Sequence, residues 1–133
     1  MANAIKLEVV TPLRPVAEVT VTQVIAPGYM GEFTVLPGHA TYVARLSPGR
    51  LSYVAQDGTH EFVIGAGFAD VRGDRMVVLT TSASTREELS ADKVRLTLET
   101  ARKQLSGLGS DDPGFQDTFE QVQLLEASQR LLG

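Results

Sequence analysis

Glycine and proline crowd one part of this chain and thin out in the rest. Eight of the twelve glycines and five of the six prolines lie in residues 1–85, where they break the sequence into short apolar runs about every ten residues, the rhythm of a sheet. At the start of the chain Ile5, Leu7 and Val9 alternate with Lys6 and Glu8, the period-2 pattern of a strand with one buried face. Further on, LSYVAQ and THEFVI flank Asp57–Gly58, which predicts a hairpin closed by that two-residue turn. Gly73–Asp74 joins FADVR to RMVVLTT in the same way, and Pro48–Gly49 predicts a type II turn between TYVARLS and RLSYVA. With the runs at 19–25 and 33–36, the count is eight to ten short strands, which predicts a β sandwich or flattened barrel.

The pattern changes after Thr85. Glycine is absent until Gly107, and Val94, Leu98, Ala101, Leu105 and Leu108 recur at steps of four and three, a helical stripe. Thr85 with Glu88 matches a capping box and Ser90 can cap a helix starting at Ala91, so a short turn at 85–89 followed by the main helix satisfies both. SGLGSDD breaks that helix, and Asp112–Pro113 predicts an N-cap and first position for a second. Its apolar residues Phe115, Phe119, Val122, Leu125 and Leu132 are expected along one side, with Gln116, Glu120 and Gln123 elsewhere. The expected organisation is an N-terminal β-sandwich domain, residues 1–85, followed by a C-terminal antiparallel helical hairpin domain, residues 86–133.

Several function classes are set aside by composition and motif. The 133 residues are 43% apolar, enough for a core without staples, and the absence of cysteine removes disulfide and thiol chemistry. The longest apolar or glycine stretch, FVIGAGFA at 62–69, is too short to span a bilayer, and the opening MANAIKLEVV lacks the apolar run of a signal peptide, so the cytoplasm is the expected compartment. Twelve basic against sixteen acidic residues, without a basic cluster, give no footprint for nucleic acid. From Ser106 onward Arg130 stands alone against Asp111, Asp112, Asp117, Glu120 and Glu126. His39, after Pro37–Gly38, reads as a turn residue, and His60 as a strand surface residue, with no ligand-spaced partner for a metal. The pairs Glu87–Glu88 and Asp111–Asp112 read as charges placed at helix starts. GYMGE reads as a tight turn rather than a phosphate loop, and no motif marks a catalytic residue.

The run GYMGEFTVLPGHATYVARLSPGRLSYV, residues 28–54, resembles the epsilon subunit of F-type ATP synthases, whose sandwich carries Gly-x-x-Gly-Glu-x4-Pro-Gly-His followed by Pro-Gly. Gly28, Gly31, Glu32, Pro37, Gly38, His39, Pro48 and Gly49 stand at that spacing, and HEFVIGAGFADV resembles a later family segment, with Ala66 between the two glycines. The resemblance implies a non-catalytic central-stalk subunit that binds the gamma subunit and rests on the c-ring, with the alpha and beta subunits of the catalytic head as further partners. It implies attachment to the cytoplasmic face of a bacterial inner membrane through the complex alone. It assigns Gly31, Glu32, Pro37, Gly38 and His39 to the c-ring and gamma interface.

In some bacterial members the hairpin binds ATP through Ile/Leu-Asp-x-x-Arg-Ala. Here ADKVRL keeps Asp92 and Arg95 but has Ala91 and Leu96 where the family has a larger aliphatic residue and alanine, which implies weak ATP affinity at best and no required cofactor. The acidic second helix implies a compact hairpin and weak inhibition of ATP hydrolysis. The competing reading is a free-standing sandwich that senses ATP through the hairpin.

Overall fold

The computed structural model describes residues 4–133, with His39 and Ala40 described by backbone alone. Ten strands run in order: β1 (Ile5–Val10), β2 (Pro15–Val21), β3 (Gln23–Gly28), β4 (Gly31–Val35), β5 (His39–Leu46), β6 (Gly49–Ala55), β7 (Gly58–Ile64), β8 (Gly67–Gly73), β9 (Arg75–Thr80) and β10 (Ala83–Ser84). A 3-10 turn (Arg86–Glu88) leads into α1 (Ala91–Ser106), and α2 (Phe115–Leu132) completes a helical hairpin. The strand count and the two helices agree with the sandwich-then-hairpin expectation.

Hydrogen bonding links the strands along one path, β10-β7-β6-β3-β5-β8-β9-β1-β2, with β4 paired to β3. All pairs are antiparallel except β1 with β9. β3 and β5 meet through a single pair, Gly28 with Leu46, and the path creases there. Two layers result, β10-β7-β6-β3-β4 and β5-β8-β9-β1-β2, with Val24, Leu51, Tyr53, Phe62 and Ile64 of the first sharing one core with Leu7, Val9, Ala69, Val71, Met76 and Val78 of the second. Strict alternation makes this possible: in β1 the buried Ile5, Leu7 and Val9 are separated by Lys6 and Glu8.

Two turns differ from expectation. Ala55 pairs with Gly58, so the β6–β7 turn is Gln56–Asp57, and of the two expected turn residues Gly58 alone takes positive φ (+124°), just after the bend. Pro48–Gly49 is not a type II turn: Gly49 has no positive φ and opens β6. Its lack of a side chain serves close approach, since a Cβ there would lie 2.8 Å from the Cβ of Pro27. The Ser47 N–H donates to the Pro27 carbonyl at 2.9 Å, which stitches the corner where the chain leaves one layer for the other.

The helical start follows the sequence closely. The Glu88 carboxylate accepts from the Thr85 N–H at 2.9 Å and from its hydroxyl at 3.1 Å, and Ser90 Oγ accepts from the Lys93 N–H. The second helix does not start at Asp112–Pro113. The Asp112 carboxylate is spent on the Gly109 N–H at 2.7 Å, closing the interhelical turn, and Gly114 at φ +85° precedes the helix, which begins at Phe115. Asp111 and Asp112 therefore belong to a turn and not to a helix start.

Nor does α2 bury one stripe. Val122, Ala127 and Ser128 are its buried residues, while Phe119 is exposed and stacks on Phe115. The reason is that α2 has two neighbours: it packs on α1 around Leu98, Ala101 and Val122, and lies across β6 and β7.

Candidate interaction surfaces

The motif residues cluster around β4 without forming one site. Gly28 and Gly31 pair across the β3–β4 turn, whose tip is Tyr29–Met30. A Cβ on Gly28 would sit 2.5 Å from the Gly31 carbonyl oxygen and 2.8 Å from the Phe33 ring, and Gly31 takes φ +126°, so both glycines are required by the turn. Glu32 is exposed beside it, on the rim of a groove of about 490 Å³ that separates this turn and the β5–β6 corner from α2 and that Arg50 and Arg130 also line. Pro37 and Gly38 lie beyond the other end of β4, whose last residue, Val35, is about 13 Å along the strand from Gly31. The backbone of His39 pairs with Gly73 at the start of β5; its side chain lies outside the described residues.

Asp92 and Arg95 share the first turns of α1. Arg95 Nη2 reaches Asp92 Oδ1 at 3.4 Å, and both side chains are well exposed. Each thus satisfies the other on an open helix surface.

Asp57 and His60 hydrogen-bond at 2.8 Å across the β6–β7 turn, and the His60 ring stacks on Tyr53 at 5.1 Å. The hydrogen bond from His60 holds the Asp57 carboxyl below its ordinary range, while burial, and then the charge of Asp57, push the Tyr53 phenol up. The Glu88 carboxyl is held low by its bonds from Thr85, backbone first, with Arg14 at 3.6 Å adding attraction. These pairs brace turns. Among the described residues no group of three or more His, Asp or Glu side chains is gathered to hold a metal ion.

The two outer faces of the sandwich are unlike. Outward from β6 and β7 lies α2: Val63, between the core residues Phe62 and Ile64, points away from the core yet is only 1% exposed. Outward from β5, β8 and β9, Val43, Phe68 and Leu79 are 65%, 55% and 53% exposed. The register runs Arg45, Phe68, Leu79, Val10 and Pro15 across five strands, so the apolar residues form one continuous strip. The strip ends in a shallow, mainly apolar hollow of about 350 Å³ lined by Val10, Pro12, Ala66 and Leu79.

Sequence reasoning missed this surface. A signal was present: Phe68 is in phase with Asp70 and Arg72, Leu79 with Arg75, and Val43 with Arg45, so large apolar side chains occupy positions whose period-2 companions are charged.

Comparison with known proteins agrees with this geometry. The family model described as "ATP synthase, Delta/Epsilon chain, beta-sandwich domain" matches residues 4–86. The chain is 42% identical over 106 residues to the ATP synthase epsilon chain of Carboxydothermus hydrogenoformans, covering 80% of this chain and 79% of that one. It is 35% identical over 128 residues to the ATP synthase epsilon chain of Anaeromyxobacter dehalogenans, covering 96% of each. Among solved structures it is similar to a chain of the Euglena gracilis mitochondrial ATP synthase OSCP/F1/c-ring assembly, with TM-score 0.82, 25% identity and coverage of 98% of this chain and 82% of that chain. A chain of the Tetrahymena thermophila mitochondrial ATP synthase central stalk and c-ring shares the fold at TM-score 0.62 and 12% identity, with coverage of 94% and 96%.

Proposed function

The chain belongs to the delta/epsilon family of ATP synthase subunits, as an epsilon chain, and from that membership we propose that it acts as a non-catalytic rotor element. Its sandwich docks the gamma subunit through the bare face of β5, β8 and β9 and stands on the c-ring near the β3–β4 turn, so that rotation of the ring reaches the catalytic head. The observation that carries this reading is the apolar strip of Val43, Phe68 and Leu79 on a sandwich whose other face is already covered. A hydrogen-bonded ten-strand sandwich suits such a post, because a close-packed core resists the shear that torque imposes. Among the described residues no helix is long and apolar enough to cross a membrane.

The test is reconstitution of an epsilon-depleted synthase. Phe68→Asp is expected to prevent the subunit from rejoining gamma while leaving it folded; normal rejoining would contradict the docking face. Glu32→Ala, together with variants at Gly31, Pro37, Gly38 and His39, addresses the c-ring contact. Loss of proton coupling with retained rotor association is expected for Glu32→Ala, and unchanged coupling would remove its assignment.

A regulatory role for the hairpin is the second reading, and a separate observation favours it: the helical core around Leu98, Ala101 and Val122 is distinct from the sandwich core. The hairpin can therefore swing away as a unit without opening either core. Charge limits what it then does, since Arg130 stands against five carboxylates from Ser106 onward and an acidic partner segment on the beta subunit repels it. Truncation after Ser84 is expected to raise ATP hydrolysis by the assembled enzyme only slightly; a marked rise would overturn this.

A further inference from the structure

We propose that Arg45 is the polar anchor of the bare face, receiving a carboxylate from the gamma subunit at the β5 end of the apolar strip; this rests on the docking role proposed above and adds the chemistry of the partner. Arg45 is the first member of the cross-strand row that continues through Phe68 and Leu79, so whatever covers those two side chains also meets its guanidinium. That guanidinium is already held in place: its central carbon lies 4.1 Å above the Tyr29 ring, and the Tyr29 N–H donates to the Arg45 carbonyl at 2.8 Å. Stacking on a ring face occupies the flat side of the group and leaves its edge, with its fork of N–H donors, free to take a carboxylate in two parallel bonds.

The charge pattern around it singles this residue out. Lys6 pairs with Glu18 at 3.2 Å, Arg72 with Asp70 at 3.0 Å and Arg75 with Glu8 at 3.2 Å, so the other cations on this face have acids of their own. Among the described residues no carboxylate lies within ion-pair distance of Arg45. A partner that covered the strip without supplying an acid would bury an unpaired guanidinium and lose affinity for it, whereas one with a carboxylate gains a charge-assisted bond. Arginine and tyrosine beside an exposed phenylalanine is also the composition from which strong interface contacts are built.

The experiment measures binding of the full chain to the purified gamma subunit, or to the epsilon-depleted complex, at low and high salt. Arg45→Ala is expected to weaken binding about 10- to 100-fold at low salt and to flatten its salt dependence. Arg45→Lys is expected to keep the salt dependence with intermediate affinity, because the charge stays and the planar fork is lost. Thermal melts of each variant verify that the sandwich is intact, and Phe68→Asp is carried alongside. If Arg45→Ala binds like the parent with the same salt dependence while Phe68→Asp fails to bind, the anchor is wrong and the docking face stands. If both bind normally, the docking reading fails and the anchor with it.

Discussion

The sandwich has two outsides, and they solve the same problem differently. On β6 and β7 the outward Val63 is sealed by α2, which brings small residues, Ala127 and Ser128, to its buried side. On β5, β8 and β9 the outward Val43, Phe68 and Leu79 stay in contact with solvent. A chain with a hairpin available to cover one face leaves three large apolar side chains open on the other, and on the function proposed above the hairpin covers the first face while the gamma subunit covers the second.

The sharpest way to break this comparison is to put the same charge on each face. Val63→Asp places a carboxylate beneath α2 and is expected to cost about 3 kcal/mol or more in urea unfolding. Phe68→Asp is expected to cost about 1 kcal/mol or less in the same assay, its damage confined to partner binding. Equal losses would mean the two faces are equally committed to the fold. Next in size, Ala127→Leu overfills the seat of α2 and is expected to loosen it by about 1–3 kcal/mol, seen as faster amide exchange in α2 with the strands of the sandwich unchanged. Faster exchange in both regions would join the hairpin to the sandwich as one cooperative unit.

Smaller effects sharpen the contrast between sandwich and hairpin. Calorimetric titration with ATP is expected to show weak affinity that Arg95→Ala leaves unchanged, since Arg95 already faces Asp92 on open surface. Micromolar binding abolished by Arg95→Ala would restore a nucleotide role to the hairpin. The smallest effect belongs to Glu88 in the turn that precedes α1. Its folded pKa lies below the ordinary 4.5, so it stabilises the turn above that value and loses the contribution as pH falls through the lowered one. Carboxyl titration by NMR should place its midpoint below that of an exposed glutamate, and a midpoint at or above 4.5 would contradict the bonds from Thr85.

Much of the fold was legible because strands and turns advertise themselves locally. Ile5, Leu7 and Val9 declare their buried face by alternation, and Thr85, Glu88 and Ser90 declare the helical start by side-chain chemistry. What escaped depended on neighbours distant in sequence. Gly49 looked like a turn residue, but its reason is Pro27 from another strand. Asp112 looked like a cap, but Gly109 takes its carboxylate first. The second face of α2 is hard to see in an apolar stripe because Ala127 and Ser128, which it also buries, are small and in the latter case polar. The bare strip lay between these cases: the phase of Phe68 and Leu79 with charged residues was readable, but only the strand register shows that the two are paired neighbours.

The absence of cysteine makes the central claim directly measurable, because a single introduced thiol is a unique label. Phe68→Cys on the bare face and Gln129→Cys on the exposed side of α2 would each be alkylated in the free subunit and again in the assembled synthase. Assembly is expected to slow the reaction at position 68 about tenfold or more while position 129 changes little. Equal reactivity at position 68 in the free and assembled states would show that nothing covers the strip, and would contradict the assignment of β5, β8 and β9 as the docking face.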